Sequence, residues 1–233
     1  MATLRRADAR GTSSLDWLQS AHTFSFSHYH DPAHMGYGSL RVINDDRVAP
    51  GGGFATHGHR DMEIISYVLA GALEHKDSIG NGSVIRQGDV QRMSAGTGIR
   101  HSEFNHSRVE PVHFLQIWFL PDRQGHAPGY EQKAFSDADK RGRLCLVAAG
   151  DGRDGAVSLH RDADIYAGLF DGAETAAHSL TADRHAWLHL ALGSLRVNDF
   201  ELNAGDGLAL APGESIALRD GRGAEVLLFD MAR

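Results

Sequence analysis

Two glycine-centred patterns each occur twice in this chain, and that repetition limits the fold more than any other feature. Leu69-Ala70-Gly71-Ala72-Leu73 returns as Ala191-Leu192-Gly193-Ser194-Leu195. The run from Gly88-Asp89-Val90 through Gly96 to Ile99 returns as Gly205-Asp206-Gly207 through Gly213 to Ile216, residue for residue in its spacing. Gly71 to Gly88 is 17 positions and Gly193 to Gly205 is 12, a difference of one shorter hairpin. Self-similarity on this scale means one supersecondary unit built twice.

The repeated unit reads as β. Apolar, β-branched runs at 40–44, 64–69, 113–120, 144–148, 157–160, 165–170, 186–192, 195–197 and 226–229 are divided by turn signals, and there is hardly an amphipathic helix before residue 130. Many short strands with turns between them suggest sandwiches or barrels. The first of these strands is expected to end at Asp45-Asp46. Asn81-Gly82 is a hairpin signal. Residues 11–37, rich in Ser, His and aromatics and broken by Asp31-Pro32, read as a long irregular segment laid over the mouth of the core or its outer sheet. At 233 residues the chain can house two such units. The polar stretch Pro121 to Arg143 reads as their connection, with room for a short helix. The expected division is an N-terminal domain at 1–130, a linker at 131–143 and a C-terminal domain at 144–233.

Two short segments carry the chemistry: His57-Gly58-His59 followed by Glu63, and His101-Ser102-Glu103. In a strand, residues i and i+2 share a face, so two adjacent strands would aim His57, His59, His101 and Glu103 at one point. Three imidazoles and a carboxylate without a thiolate suit divalent Fe, Mn, Co, Ni, Cu or Zn. With 15 histidines in the chain, either pair alone is weak; together, flanked by glycines, they are a metal-site signal. Glu63 has the same strand parity as the histidines and either faces the cavity or pairs with Arg60, so spacing alone leaves the carboxylate open between Glu63 and Glu103. Counted from the matched glycines, Ser179 and Thr181 fall opposite His57 and His59, and Leu218 and Asp220 opposite His101 and Glu103. The second copy is thus expected to lack the ligands.

Composition removes several function classes. A formal net charge of −7 argues against direct nucleic-acid binding, which needs a basic surface. The single cysteine, Cys145, forms no intramolecular disulfide. Residues 1–8 have no apolar stretch behind their arginines, and no run approaches the roughly 20 apolar residues of a membrane span. A cytoplasmic location without membrane association is expected.

Gly51, His57-Gly58-His59 and Glu63 resemble the first cupin motif, and Gly98-Ile99-Arg100-His101 with Asn105 resembles the second. Glu63 to Gly71 is one residue longer than usual, and Gly96 stands where proline is common. Within the cupins, His22-Thr23-Phe24-Ser25-Phe26, Asp31-Pro32, Leu40 to Asp46 and Ser94 to Glu103 resemble the pirins, most of all the bacterial pirin-like quercetinases. The resemblance covers nearly the whole chain. It implies an all-β bicupin of two jelly-roll-like β-barrel domains facing each other, monomeric, with a metal in the N-terminal one. It also implies ligands at His57, His59, His101 and Glu103, since pirins take the carboxylate from the position of Glu103. The metal it implies is iron foremost, with Mn, Co, Ni, Cu or Zn as substitutes. The implied activity is quercetin 2,3-dioxygenation, which opens the flavonol's central ring with O2 and releases CO. There Glu103 would also serve as general base, and Phe54, Met93 and the N-terminal aromatics would wall in a small aromatic substrate. Pirins also include non-catalytic regulators that bind a transcription factor or an enzyme, and a metal-dependent isomerase acting on a sugar-like substrate is a third reading.

Overall fold

The computed structural model describes residues 2–233, nearly all of them in strands and turns, as the repeat requires. No helix is long and apolar enough to cross a membrane. The chain forms two compact units. One comprises residues 11–134 and 157–161; the other comprises residues up to Arg10, 135–156 and 162–233.

The first unit is a pair of antiparallel sheets. The larger has the strand order 129–134, 89–94, 63–70, 112–119, 40–48, 18–22 and 11–14; the smaller has the order 53–59, 99–105, 72–77 and 82–86. Leu18, Val48, Val68, Val112 and Phe114 of the larger sheet pack on Leu73 and Ile85 of the smaller, all buried. This apolar layer holds the smaller sheet, and with it the histidine strands, in place.

The strand beginning at Leu40 does not stop at Asp45-Asp46 but runs to Val48, between Val112–Phe119 and Leu18–His22. Inside the strand, Asp45 Oδ1 meets His113 Nε2 at 2.7 Å, and the Asp46 carboxyl is engaged by the Ser20 hydroxyl through one oxygen only. The segment expected to be irregular begins as a hairpin, Gly11–Ser14 with Leu18–His22, that extends the larger sheet. Its alternation escapes a hydrophobic count because two of the three buried positions on Leu18–His22 are Ser20 and His22, and the His22 ring bonds Ser13 and Asn44. Within the stretch expected as linker, Gly129–Ala134 pairs with Asp89–Ser94, and Asp137–Lys140 is one helical turn whose N-terminus is capped by Ser136 with Asp139 answering, the reciprocal pair of a capping box.

The second unit is an antiparallel sheet in the order 3–5, 207–210, 184–197, 215–232, 163–170 and 145–149, with 176–179 added along 215–232 and 200–203 along 184–197. The repeat glycines share their backbone conformation across the units: φ is 77° at Gly71 and 72° at Gly193, and 88° at both Gly88 and Gly205. Strand pairing corrects the residue count in the second copy. His59 pairs with Ile99 and His57 with His101, whereas His178 pairs with Ile216 and Ala176 with Leu218. The counterparts of His57 and His59 are therefore Ala176 and His178, not Ser179 and Thr181, because counting ran across loops of different length. His178 is engaged by Asp230 at 2.7 Å, and Leu218 is buried in the apolar core of this unit.

Candidate metal centre

The smaller sheet of the first unit places the four residues. Ile99–Asn105 lies antiparallel to Gly53–His59 with His101 directly opposite His57. The register then slips between His101 and Glu103, so that Glu103 faces Phe54 rather than the next residue in step. Such a bulge re-aims a side chain. It brings the two backbones so close that a Cβ on Gly53 would stand 2.4 Å from the Glu103 carbonyl oxygen. Gly53→Ala is expected to destabilise the protein by about 1–3 kcal/mol through this forced overlap, and calorimetric unfolding checks it.

His57, His59 and His101 form a compact triangle with ring centroids 4.5 to 4.9 Å apart. One nitrogen from each lies within 4.8 Å of the others. His57 Nδ1 donates to the Ala55 carbonyl at 2.8 Å, which leaves its Nε2 as a lone pair turned inward, 3.1 Å from Nε2 of His101. Burial, with the neighbouring histidines adding to it, holds His59 down to about 4 and His101 to about 2. Both rings are thus neutral at working pH, the state in which imidazole donates a lone pair.

Glu103 stands behind this triangle. It is buried and accepts from the Ser66 hydroxyl at 3.1 Å and from Gln116 Nε2 at 2.7 Å. It groups with His101 and His75 within 4.8 Å, not with His57 and His59. Burial raises its carboxyl to about 7 against those two hydrogen bonds. Asp46 is likewise raised to about 7 by burial, with the charge of Glu103 adding to it.

Glu63 is elsewhere. Its buried carboxylate accepts from the Ser94 hydroxyl at 2.9 Å and from the backbone and ring of His160, each at 3.2 Å, so its partner is not Arg60. Two residues of the surroundings were not singled out by sequence reasoning. His75, fully buried, faces His101 through Nδ1 at 3.5 Å and Asp77 through Nε2 at 3.2 Å. Trp118 sets its ring edge-on to His59 at 4.9 Å. His75-Lys76-Asp77 repeats the i, i+2 spacing of the recognised pairs and is the signal that could have found the first.

These donors fit a divalent first-row ion: three imidazoles, one already oriented by a backbone carbonyl, with a carboxylate alongside. Among the described residues, both groups of three or more potential donors lie in this unit. Residues 3–119 match the Pirin family and residues 146–231 match the quercetinase C-terminal cupin domain. The chain belongs to the pirin family. It is 43% identical over 231 residues to a quercetin 2,3-dioxygenase of Escherichia coli, covering 99% of each chain. The crystal structure of the bacterial pirin YhhW from Escherichia coli in complex with nickel(II) superposes with a TM-score of 0.94 at 44% identity, covering 100% of this chain and 99% of that one. A quercetin 2,3-dioxygenase from Acinetobacter baumannii shares the fold at 19% identity, with a TM-score of 0.75 over 95% of this chain and 83% of that one. This pirin therefore has two cupin-type domains, and its fold and donor cluster point to a single metal ion.

Proposed function

We propose that this pirin is a metal-dependent dioxygenase that opens the central ring of flavonols such as quercetin with O2 and releases CO. The observation that carries the reading is the pairing of a compact three-histidine cluster with a buried carboxyl beside it. His57, His59 and His101, with Glu103, would hold one divalent ion, iron foremost. When bound, such an ion acidifies an oxygen ligand and supplies the site for O2 chemistry.

The chain's own residues do the rest. Glu103 takes the flavonol 3-hydroxyl proton on a carboxylate oxygen, acting as the positioned general base. Ser66 and Gln116 fix that carboxylate from behind, and Gln116 is itself held by the Trp118 indole N–H at 3.3 Å. Phe54 and Trp118, against His57 and His59 respectively, give a flat ligand apolar walls. The test is simultaneous recording of flavonol absorbance and dissolved O2. Metal-loaded protein should consume the two mole for mole, and metal-free protein neither.

The raised carboxyl of Glu103 makes a further expectation. Below about pH 7 it carries a proton in the metal-free protein, and a ligating carboxylate must lose it, whereas His59 and His101 have none to lose. Glu103 should therefore make metal affinity rise with pH up to about 7, its own share being about one proton released per ion at pH 6 and little at pH 8. Titration calorimetry in buffers of different ionisation enthalpy counts the protons released, and Glu103→Gln should remove about one of them at pH 6.

A further inference from the structure

Beside the histidine cluster the same unit contains a cavity of about 320 Å³ that neither cupin motif marks. The surface it exposes is chiefly apolar, from Trp17, Leu18, Phe26 and Phe54, and polar side chains including His22, His28, Asn44, Asp46 and Gln116 also line it. Trp17 and Phe54 meet edge to face at 5.0 Å. The cavity borders the cluster through one aromatic ring on one side and two on another. Phe54 separates it from His57, with ring centroids 6.4 Å apart, and Phe26 leans on Trp118, which covers His59. Gln116 carries it to Glu103.

One group in it is out of place. Asp46 is 2% exposed, and its Oδ1 has no hydrogen-bond partner. A buried carboxyl oxygen left unpaired is costly, and the Ser20 hydroxyl engages the carboxyl without satisfying Oδ1. An unpaired acceptor in an apolar slot is complementary to a flat ring with a hydroxyl at its leading edge, since apolar walls supply affinity and one placed polar group supplies selection.

We propose that this cavity receives the hydroxylated pendant ring of a flavonol-like phenol, and that Asp46 Oδ1 accepts its hydroxyl, making Asp46 the residue that selects hydroxylated over unsubstituted rings. The proposal rests on the dioxygenase reading for the placement of the remaining rings at the histidine cluster. The pendant ring joins the core by one rotatable bond beside the 3-hydroxyl; to enter the cavity while the 3-hydroxyl stays at Glu103 it displaces the Phe54 ring, which packs on Trp17 and stands between the two. No proton transfer by Asp46 is required; whether ionised or neutral, its carboxyl can pair with a phenol.

The test compares 3,4′-dihydroxyflavone with 3-hydroxyflavone, which differ by one hydroxyl. Their own fluorescence reports binding to the metal-loaded protein under argon and to the metal-free protein. The wild-type protein should bind the dihydroxy compound about tenfold more tightly or better. Asp46→Leu should bring the two affinities within about twofold, chiefly by weakening the dihydroxy compound, and Asp46→Asn, which keeps an acceptor at Oδ1, should retain part of the preference. Should Asp46→Leu not fold, the wild-type ratio and Asp46→Asn still decide. Equal affinities in the wild type, or an undiminished ratio in Asp46→Leu, overturn the assignment. Because no turnover is measured, the two readings fail separately. A clear preference without oxygenation by the loaded protein keeps the Asp46 site and discards the dioxygenase, whereas oxygenation without preference discards only the Asp46 site.

Discussion

His101→Ala yields a folded protein that no longer holds its metal. His101 is the residue shared by both donor groups, turning Nε2 toward His57 and Nδ1 toward His75, so its loss opens both at once. Replacing a residue that merely orients a ligand commonly lowers metal affinity about 10–100-fold; removal of a donor should exceed about 100-fold. The fold should survive, because the two sheets are joined by Val68, Leu73, Ile85, Val112 and Phe114 rather than by the histidines. The truncation should cost about 1–3 kcal/mol, within the ordinary range for a buried side chain. Metal content by elemental analysis after dialysis, with unfolding by calorimetry, checks both halves. Stoichiometric metal retained in the variant contradicts the assignment of His101.

Glu103→Gln separates holding the metal from using it. The three imidazoles remain, and the amide can be accommodated by turning its oxygen to Gln116 and its NH2 to Ser66, whose hydroxyl both donates and accepts. Metal content should stay near stoichiometric. Flavonol turnover should fall about 10²–10⁴-fold, the usual contribution of a positioned general base. Single-turnover rates on the metal-loaded variant measure it, and a rate equal to the wild type removes Glu103 from the proton transfer.

Much of the fold was legible because its signals are local. The paired glycines announce the duplication, and at Gly71/Gly193 and Gly88/Gly205 the matched backbone angles explain why: each needs a left-handed turn that other residues adopt at a cost. The convergence of His57, His59 and His101 follows from strand alternation and from pairing of the two segments. What sequence could not supply depends on long-range partners. Leu18–His22 hides its inward face because it is partly polar and satisfied by Ser13 and Asn44. The role of Glu63 depends on His160, 97 residues away. The bulge in Gly53–His59 that sets Phe54 rather than Ala55 opposite Glu103 is likewise something alternation alone does not foresee. Asp46 read as the end of a strand and proved to be buried inside one.

Carbon monoxide decides whether this pirin is a flavonol dioxygenase. The protein is loaded with Fe(II) without oxygen and mixed with quercetin, O2 is admitted, and CO is counted against flavonol lost, with His101→Ala in parallel. One CO is expected for each flavonol consumed by the wild-type protein and none above background from the variant. A filled metal site that releases no CO in the presence of flavonol and O2 contradicts it and leaves a metal-holding regulator as the reading to pursue.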